Sequence, residues 1–196
     1  DFNASTINSS YAPIDDMIIG LKNAWNSSPI YFKRIIDMLG TYQGIRSVKG
    51  VVFLTYKEMI KINVENNDFF AAFICQWRIC ALICQVFKLS GRIPDGIPKE
   101  GGSVFPFIPK FFLEEYGPAH DSQYLQLEGD MFCEQSVENE LQTALEYCRK
   151  AGLHWLTGSI TEVLINFLEA HRKFDTLQRI YAVISQSYTE LAQNTE

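Results

Sequence analysis

Cys148 and His154 are the one nucleophile–base pair that the sequence offers. A turn at Gly152 would let them approach, and a cysteine needs such a base, or a depressed pKa, to attack as a thiolate. No third group stands near to orient the imidazole, and no oxyanion-binding stretch accompanies the pair. A packed cysteine and a boundary histidine are therefore the preferred reading. Other chemistry-bearing patterns are missing: the chain holds no GxxxxGK[ST] phosphate loop, GxGxxG after a strand, GxSxG elbow or HExxH pair. His120, His154 and His171 are far apart in sequence, and Glu128-Gly129-Asp130 is too sparse for a calcium loop. The reading is a chain with no catalytic, cofactor-binding or metal-binding residues of its own.

Charge narrows the partners. The 196 residues carry a formal net charge of −6, and no basic cluster exceeds Arg149-Lys150 or Arg172-Lys173, which argues against nucleic acid. From Phe111 to Cys148 there is no Lys or Arg, while Glu114, Glu115, Asp121, Glu128, Asp130, Glu134, Glu138, Glu140 and Glu146 accumulate. Such a run could face a basic partner, but solvated loop and acidic first helical turns are the preferred explanation. Five cysteines (Cys75, Cys80, Cys84, Cys133 and Cys148) lack disulfide-framework spacing, and three share one apolar segment, which points to a reducing compartment. Sequons at Asn3, Asn8 and Asn26 fall in a Ser/Asn-rich stretch and read as incidental. No signal peptide is visible, and a first residue of Asp1 suggests an excised or processed piece.

The elements that must carry these residues are helical. Residues 1–13 read as a tail or linker and 14–196 as one helical-repeat domain. A short helix is expected over 14–25, and Ser28-Pro29 opens another that runs through Leu39 and stops at Gly40. Phe53, Tyr56, Ile60 and Val64 keep helical spacing between Lys49 and Asn66. Asp68 is a natural N-cap for Phe69–Leu89, which is apolar nearly all round and long enough to raise the question of a membrane span. Gln76, Arg78, Gln85 and Lys88 interrupt it, so a buried central helix is expected.

Gly91, Pro94, Gly96, Pro98, Gly101 and Gly102 predict a long irregular loop over 90–103, and the next aromatics are expected to tuck an extended segment onto the helices. The stretch 115–130 gives no clear pattern. Three stripes follow: Val137 to Cys148; Ile160 to His171; and Phe174, Leu177, Tyr181, Ile184, Tyr188 and Leu191. Core packing is the expectation for these stripes and for Trp77 and Trp155. Short connections around Gly152 and Arg172-Lys173 imply antiparallel neighbours, hence an all-α, TPR-like or α-solenoid array.

The run Asn166-Phe167-Leu168-Glu169-Ala170-His171-Arg172-Lys173-Phe174, with Leu177, Ile180-Tyr181 and Tyr188 beyond it, resembles a segment of the Dock (dedicator of cytokinesis) proteins. There, Glu, Arg and an aromatic close one helix and lead into the next. Asn66-Asn67-Asp68 before Ala71-Ala72 is similar to the family's turn into an alanine-bearing central helix. The Gly/Pro-rich loop and the helix bearing Leu141, Ala144 and Leu145 also match, so the likeness covers residues 30–193. Ile165-Asn166-Phe167-Leu168, where the family often has Pro-Ile-Tyr, and Phe70, where a Glu is common, mark a divergent member.

The resemblance implies the first, helical lobe of the second Dock homology region, which promotes nucleotide release from Rho-type GTPases such as Rac. The exchange residues would lie in later lobes, so this lobe would not be an enzyme by itself. Its implied partners are the following lobes, a Rac-like GTPase reached through the parent protein, and a second copy of the parent. The implied location is the cytoplasm, with membrane recruitment left to other modules. The alternative is a TPR-like adaptor that binds a peptide or protein and has no part in nucleotide exchange.

Overall fold

The computed structural model describes residues 48–108 and 131–193. The expected tail, the helices expected over 14–25 and from Ser28-Pro29 to Leu39, and the stretch 115–130 lie outside the described residues. Among the described residues there are five α-helices: α1 (Val48–Glu65), α2 (Phe69–Ser90), α3 (Glu134–Lys150), α4 (Thr157–Ala170) and α5 (Phe174–Gln193). Short 3-10 turns occupy Gly101–Val104 and His154–Leu156, and no strand occurs among the described residues. The architecture is all-α, and each helix packs mainly on its neighbours in sequence.

The central helix α2 follows from its composition. Asp68 caps it, its carboxylate accepting from the Ala71 amide at 2.9 Å. Thirteen of its residues are buried, among them Phe73, Trp77, Ile79, Leu82 and Ile83. Burying a side chain of this size stabilises by roughly 1.5–3 kcal/mol, so α2 dominates the core. It is long and apolar enough to cross a membrane by length and composition alone, yet two-thirds of its most apolar 18-residue window is buried against protein.

Each polar interruption of α2 has a partner. Gln76 donates to the carbonyl and carboxylate of Glu140, and Arg78 donates to the Tyr56 hydroxyl at 3.1 Å. Gln85 accepts from the Gly102 amide at 3.2 Å, and Lys88 donates to the Glu100 carbonyl at 3.2 Å. The four residues that read as breaks in an apolar helix thus tie it to α1, α3 and the following connection.

That connection is fitted closely. Residues expected to be irregular through Ser103 include the 3-10 turn at Gly101–Val104. Gly101 lies so near α2 that an added Cβ would meet Gln85 and Lys88 atoms at 2.9 Å. Phe105 is buried with its ring centroid 4.6 Å from that of Trp77, whose indole N–H donates to the Pro106 carbonyl at 2.9 Å. Phe107, expected to tuck in beside it, is 67% exposed and has φ 65, which turns it away from the helices.

The first four helices stop in the same way. Each ends with a left-handed residue: Asn67, Gly91, Gly152 and Arg172. In each case that residue's amide and the next one bond back to the last turn, as in Gly152 N–H to Arg149 O at 2.9 Å and Leu153 N–H to Cys148 O at 3.0 Å. Asparagine and glycine tolerate this conformation, whereas Arg172 adopts it at a cost of about 1–2 kcal/mol.

Candidate interaction surface

The outermost described helix, α5, is amphipathic in an uneven way. Leu177, Ile180 and Ser187 are buried, whereas Phe174, Tyr181 and Tyr188 are 62%, 49% and 57% exposed. At about 100° per residue, a spacing of seven drifts only about 20° per step, so the three rings form one row along the helix. The row lies beside the buried face, offset from Leu177 by about 60° by the same count. It is therefore continuous with the core edge and yet uncovered.

Both ends of α5 are fixed. At its start, Lys173 pairs with Glu138 of α3, its ammonium 5.9 Å from the Phe167 ring centroid. His171 stacks on Phe167 with centroids 4.1 Å apart and places Nε2 3.5 Å from a Glu134 carboxylate oxygen. Toward its end, Glu190 approaches His154 Nδ1 at 3.0 Å, without hydrogen-bond alignment. Gly158 on α4 leaves room for Tyr188, whose hydroxyl would lie 3.3 Å from a Cβ there. Helix α5 is thus seated on α4 and the His154 turn, with Lys173 tying its start to α3.

Where it is described, the acidic run is divided: Glu134 and Glu146 are exposed, and Glu138 and Glu140 are buried. Glu138 and Glu140 meet Lys173 and Lys57, while Glu146 pairs with Lys150 at 2.6 Å. These carboxylates tie helices together or cap charge along α3. They do not form an open acidic face.

Cys148 and His154 are not joined into a catalytic pair. The Cys148 thiol donates to the Leu153 carbonyl at 3.2 Å, and His154 turns to Glu190. Burial pushes the Cys148 thiol up to about 12, and does the same to Cys84, also to about 12. Cys75 rises to about 11 through burial, Arg78 partly opposing it. Cys80 rises well above the ordinary thiol value, through burial and then through the Glu140 charge. None of these four offers a thiolate at neutral pH. No cluster of three or more His, Cys, Asp or Glu side chains able to hold a metal ion occurs among the described residues.

Sequence reasoning assigned Phe174, Tyr181, Tyr188 and Trp155 to the core, and the structure overturns this. Trp155 is 60% exposed on the short 3-10 turn, where only Leu156 is buried. On α5 a second inner row, Ile180 and Ser187, takes the place that the tyrosines were expected to fill. The signal was there: Phe174, Tyr181 and Tyr188 recur strictly at seven, displaced from the Leu177–Ile184–Leu191 row.

Residues 51–193 match the family description DHR-2, Lobe A. The chain belongs to the DHR-2 lobe A family. The match takes in all of α2 to α5 and nearly all of α1. DHR-2 lobe A is the first lobe of the exchange region of Dock proteins, so this lobe is part of a Dock-type guanine nucleotide exchange factor family. No solved structure matches it.

Proposed function

We propose that this lobe is a support. Its helices stack in a TPR-like array, and α5 packs against the following lobes of a Dock-type exchange factor for Rho-family, Rac-like GTPases. The observation that carries this is the exposed Phe174–Tyr181–Tyr188 row on a helix anchored at both ends. A rigid row of rings beside a core edge is a surface suited to burial by a neighbour. Packing of each helix on its sequence neighbours supports the array reading, since solenoids are quasi-one-dimensional. The exchange residues belong to the later lobes, and the parent protein acts in the cytoplasm, brought to membranes by its other modules. A homodimer of the parent would leave this division of labour unchanged.

The test compares this chain with a protein extended past Glu196 into the following lobes, using labelled nucleotide release from a panel of Rho-type GTPases. The extended protein should release nucleotide and the chain alone should not. In the extended protein, F174S, Y181S and Y188S together should weaken exchange while leaving the isolated lobe folded. Silence from a folded extended protein on active GTPases would defeat the proposal. Full activity of the triple variant would remove α5 as the packing face.

A further inference from the structure

A cleft of about 540 Å³ opens between the α2–α3 connection and α4, away from the aromatic row of α5. Its helix wall is Ser159, Glu162, Val163 and Asn166, which are successive positions of one helical face. Its loop wall includes Pro98, Glu100, Val104 and Pro106. The two walls are locked together at one end, where Gly96 lies against the Asn166 backbone so closely that an added Cβ would sit 2.3 Å from its oxygen. At the other end Phe107 directly follows Pro106, and Trp155 lies one turn before Ser159. These two rings meet edge to face with centroids 6.1 Å apart, although both are largely exposed.

We propose that this cleft binds an extended, proline-bearing peptide segment with an arginine or lysine beside the proline. Length, shape and charge all favour this occupant. From Ser159 to Asn166 the helix wall runs about 10 Å, the reach of about three residues of polyproline II chain. Pro98, Val104, Pro106 and Val163 give the cleft an apolar strip between polar side chains, and the Trp155–Phe107 pair flanks its end; such a mixed trough can take a preformed extended segment. Glu100 and Glu162 stand one on each wall, both exposed, and no Lys or Arg lines the cleft among the described residues. Lys88 is committed to the Glu100 carbonyl, which leaves that residue's carboxylate for a ligand. A guanidinium can pair with either carboxylate, with the exposed Trp155 ring close by for a cation–π contact. The inference is independent of the exchange reading, because the peptide would bind this chain with no GTPase present.

The probe is a fluorescein-labelled proline-rich peptide with a central arginine pair, titrated with the 196-residue chain by fluorescence anisotropy. A counterpart with glutamates in place of the arginines is run beside it. The arginine peptide should saturate and bind at least about tenfold more tightly than the glutamate one, weakening as salt is raised. E100K with E162K should reverse the preference, and W155A should weaken the arginine peptide by about tenfold. Equal binding of the two peptides, no saturation at millimolar concentration, or indifference to all three substitutions would overturn the proposal. The peptide comparison on the unaltered chain decides the matter even where a variant fails to fold.

Discussion

Glu140 is the residue whose loss should reveal most about how this lobe holds together. It is buried on α3, where its carboxylate meets Lys57 of α1 and its carboxylate and carbonyl accept from Gln76 of α2. One side chain therefore joins three helices. Glu140→Ala strands two donors at once. Removing one member of a fully buried ion pair costs about 3–5 kcal/mol. Lys57, whose side chain is 31% exposed, can turn toward water, so its share falls at the low end. Gln76 is fully buried and cannot, but it keeps the Glu140 carbonyl at 3.0 Å. The sum is about 3 kcal/mol. Glu140→Gln keeps an acceptor of the same shape and loses only the charge assistance, for about 1.5 kcal/mol.

Urea unfolding followed by circular dichroism measures both differences, and a cycle with Lys57→Met isolates the pair. The coupling energy between Glu140 and Lys57 should be about 1–2 kcal/mol. A cost below about 0.5 kcal/mol for Glu140→Ala, with no coupling, would refute the account of α3 as the tie between α1 and α2.

Four further outcomes are expected. Arg172→Gly should raise stability by about 0.5 kcal/mol in the same urea assay, because relief of the left-handed backbone exceeds the added freedom of the unfolded chain. Gly152→Ala should cost about 1 kcal/mol, through backbone strain alone, since nothing lies within 4 Å of the new Cβ. Gly96→Ala should cost clearly more, because its Cβ would strike the Asn166 backbone; equal costs would show that the connection does not press on α4. Stability should also fall at alkaline pH. The Cys84 and Cys148 thiols rise from the ordinary 9.0 to about 12 on folding. The folded state thus holds protons that the unfolded chain releases, and each thiol should remove about 1.4 kcal/mol per pH unit between those values. C84A with C148A should flatten that decline, as followed by urea midpoints across the pH range.

Much of this was legible because it depends on local chemistry. Asp68 caps α2 since a short carboxylate before an apolar run has an orphan amide to satisfy, and that can be read from neighbours in sequence. Asn67, Gly91 and Gly152 announce left-handed helix ends for the same reason. Arg172 does not, because arginine has no preference for that conformation and nothing in its local sequence marks it. The α5 rings were misplaced for a different reason. Periodicity reports which side chains share a stripe, but not how much of that stripe the neighbouring helix covers. Nor could spacing bring the Pro98 and Pro106 stretch against Glu162, since that contact depends on the path of the connection across α4.

The two halves of the described fold differ in how completely they are covered. Helix α2 has α1 on one side, α3 on another and the Gly101–Val104 turn on a third, and Gln76, Arg78 and Gln85 bond to these neighbours. Helix α5 has α4 and the His154 turn as its main neighbours, and its aromatic row is left over. Opening free energy follows buried apolar contact, so amide exchange should slow from α5 inward to α2. On the proposed reading, a following lobe laid on Phe174, Tyr181 and Tyr188 adds its contacts where the isolated lobe is weakest. Stabilisation of α5 amides in the extended protein, with α2 amides unchanged, is then the signature of support through this face. Uniform protection of α2 and α5 in the isolated chain would mean that α5 already has all the partners it needs.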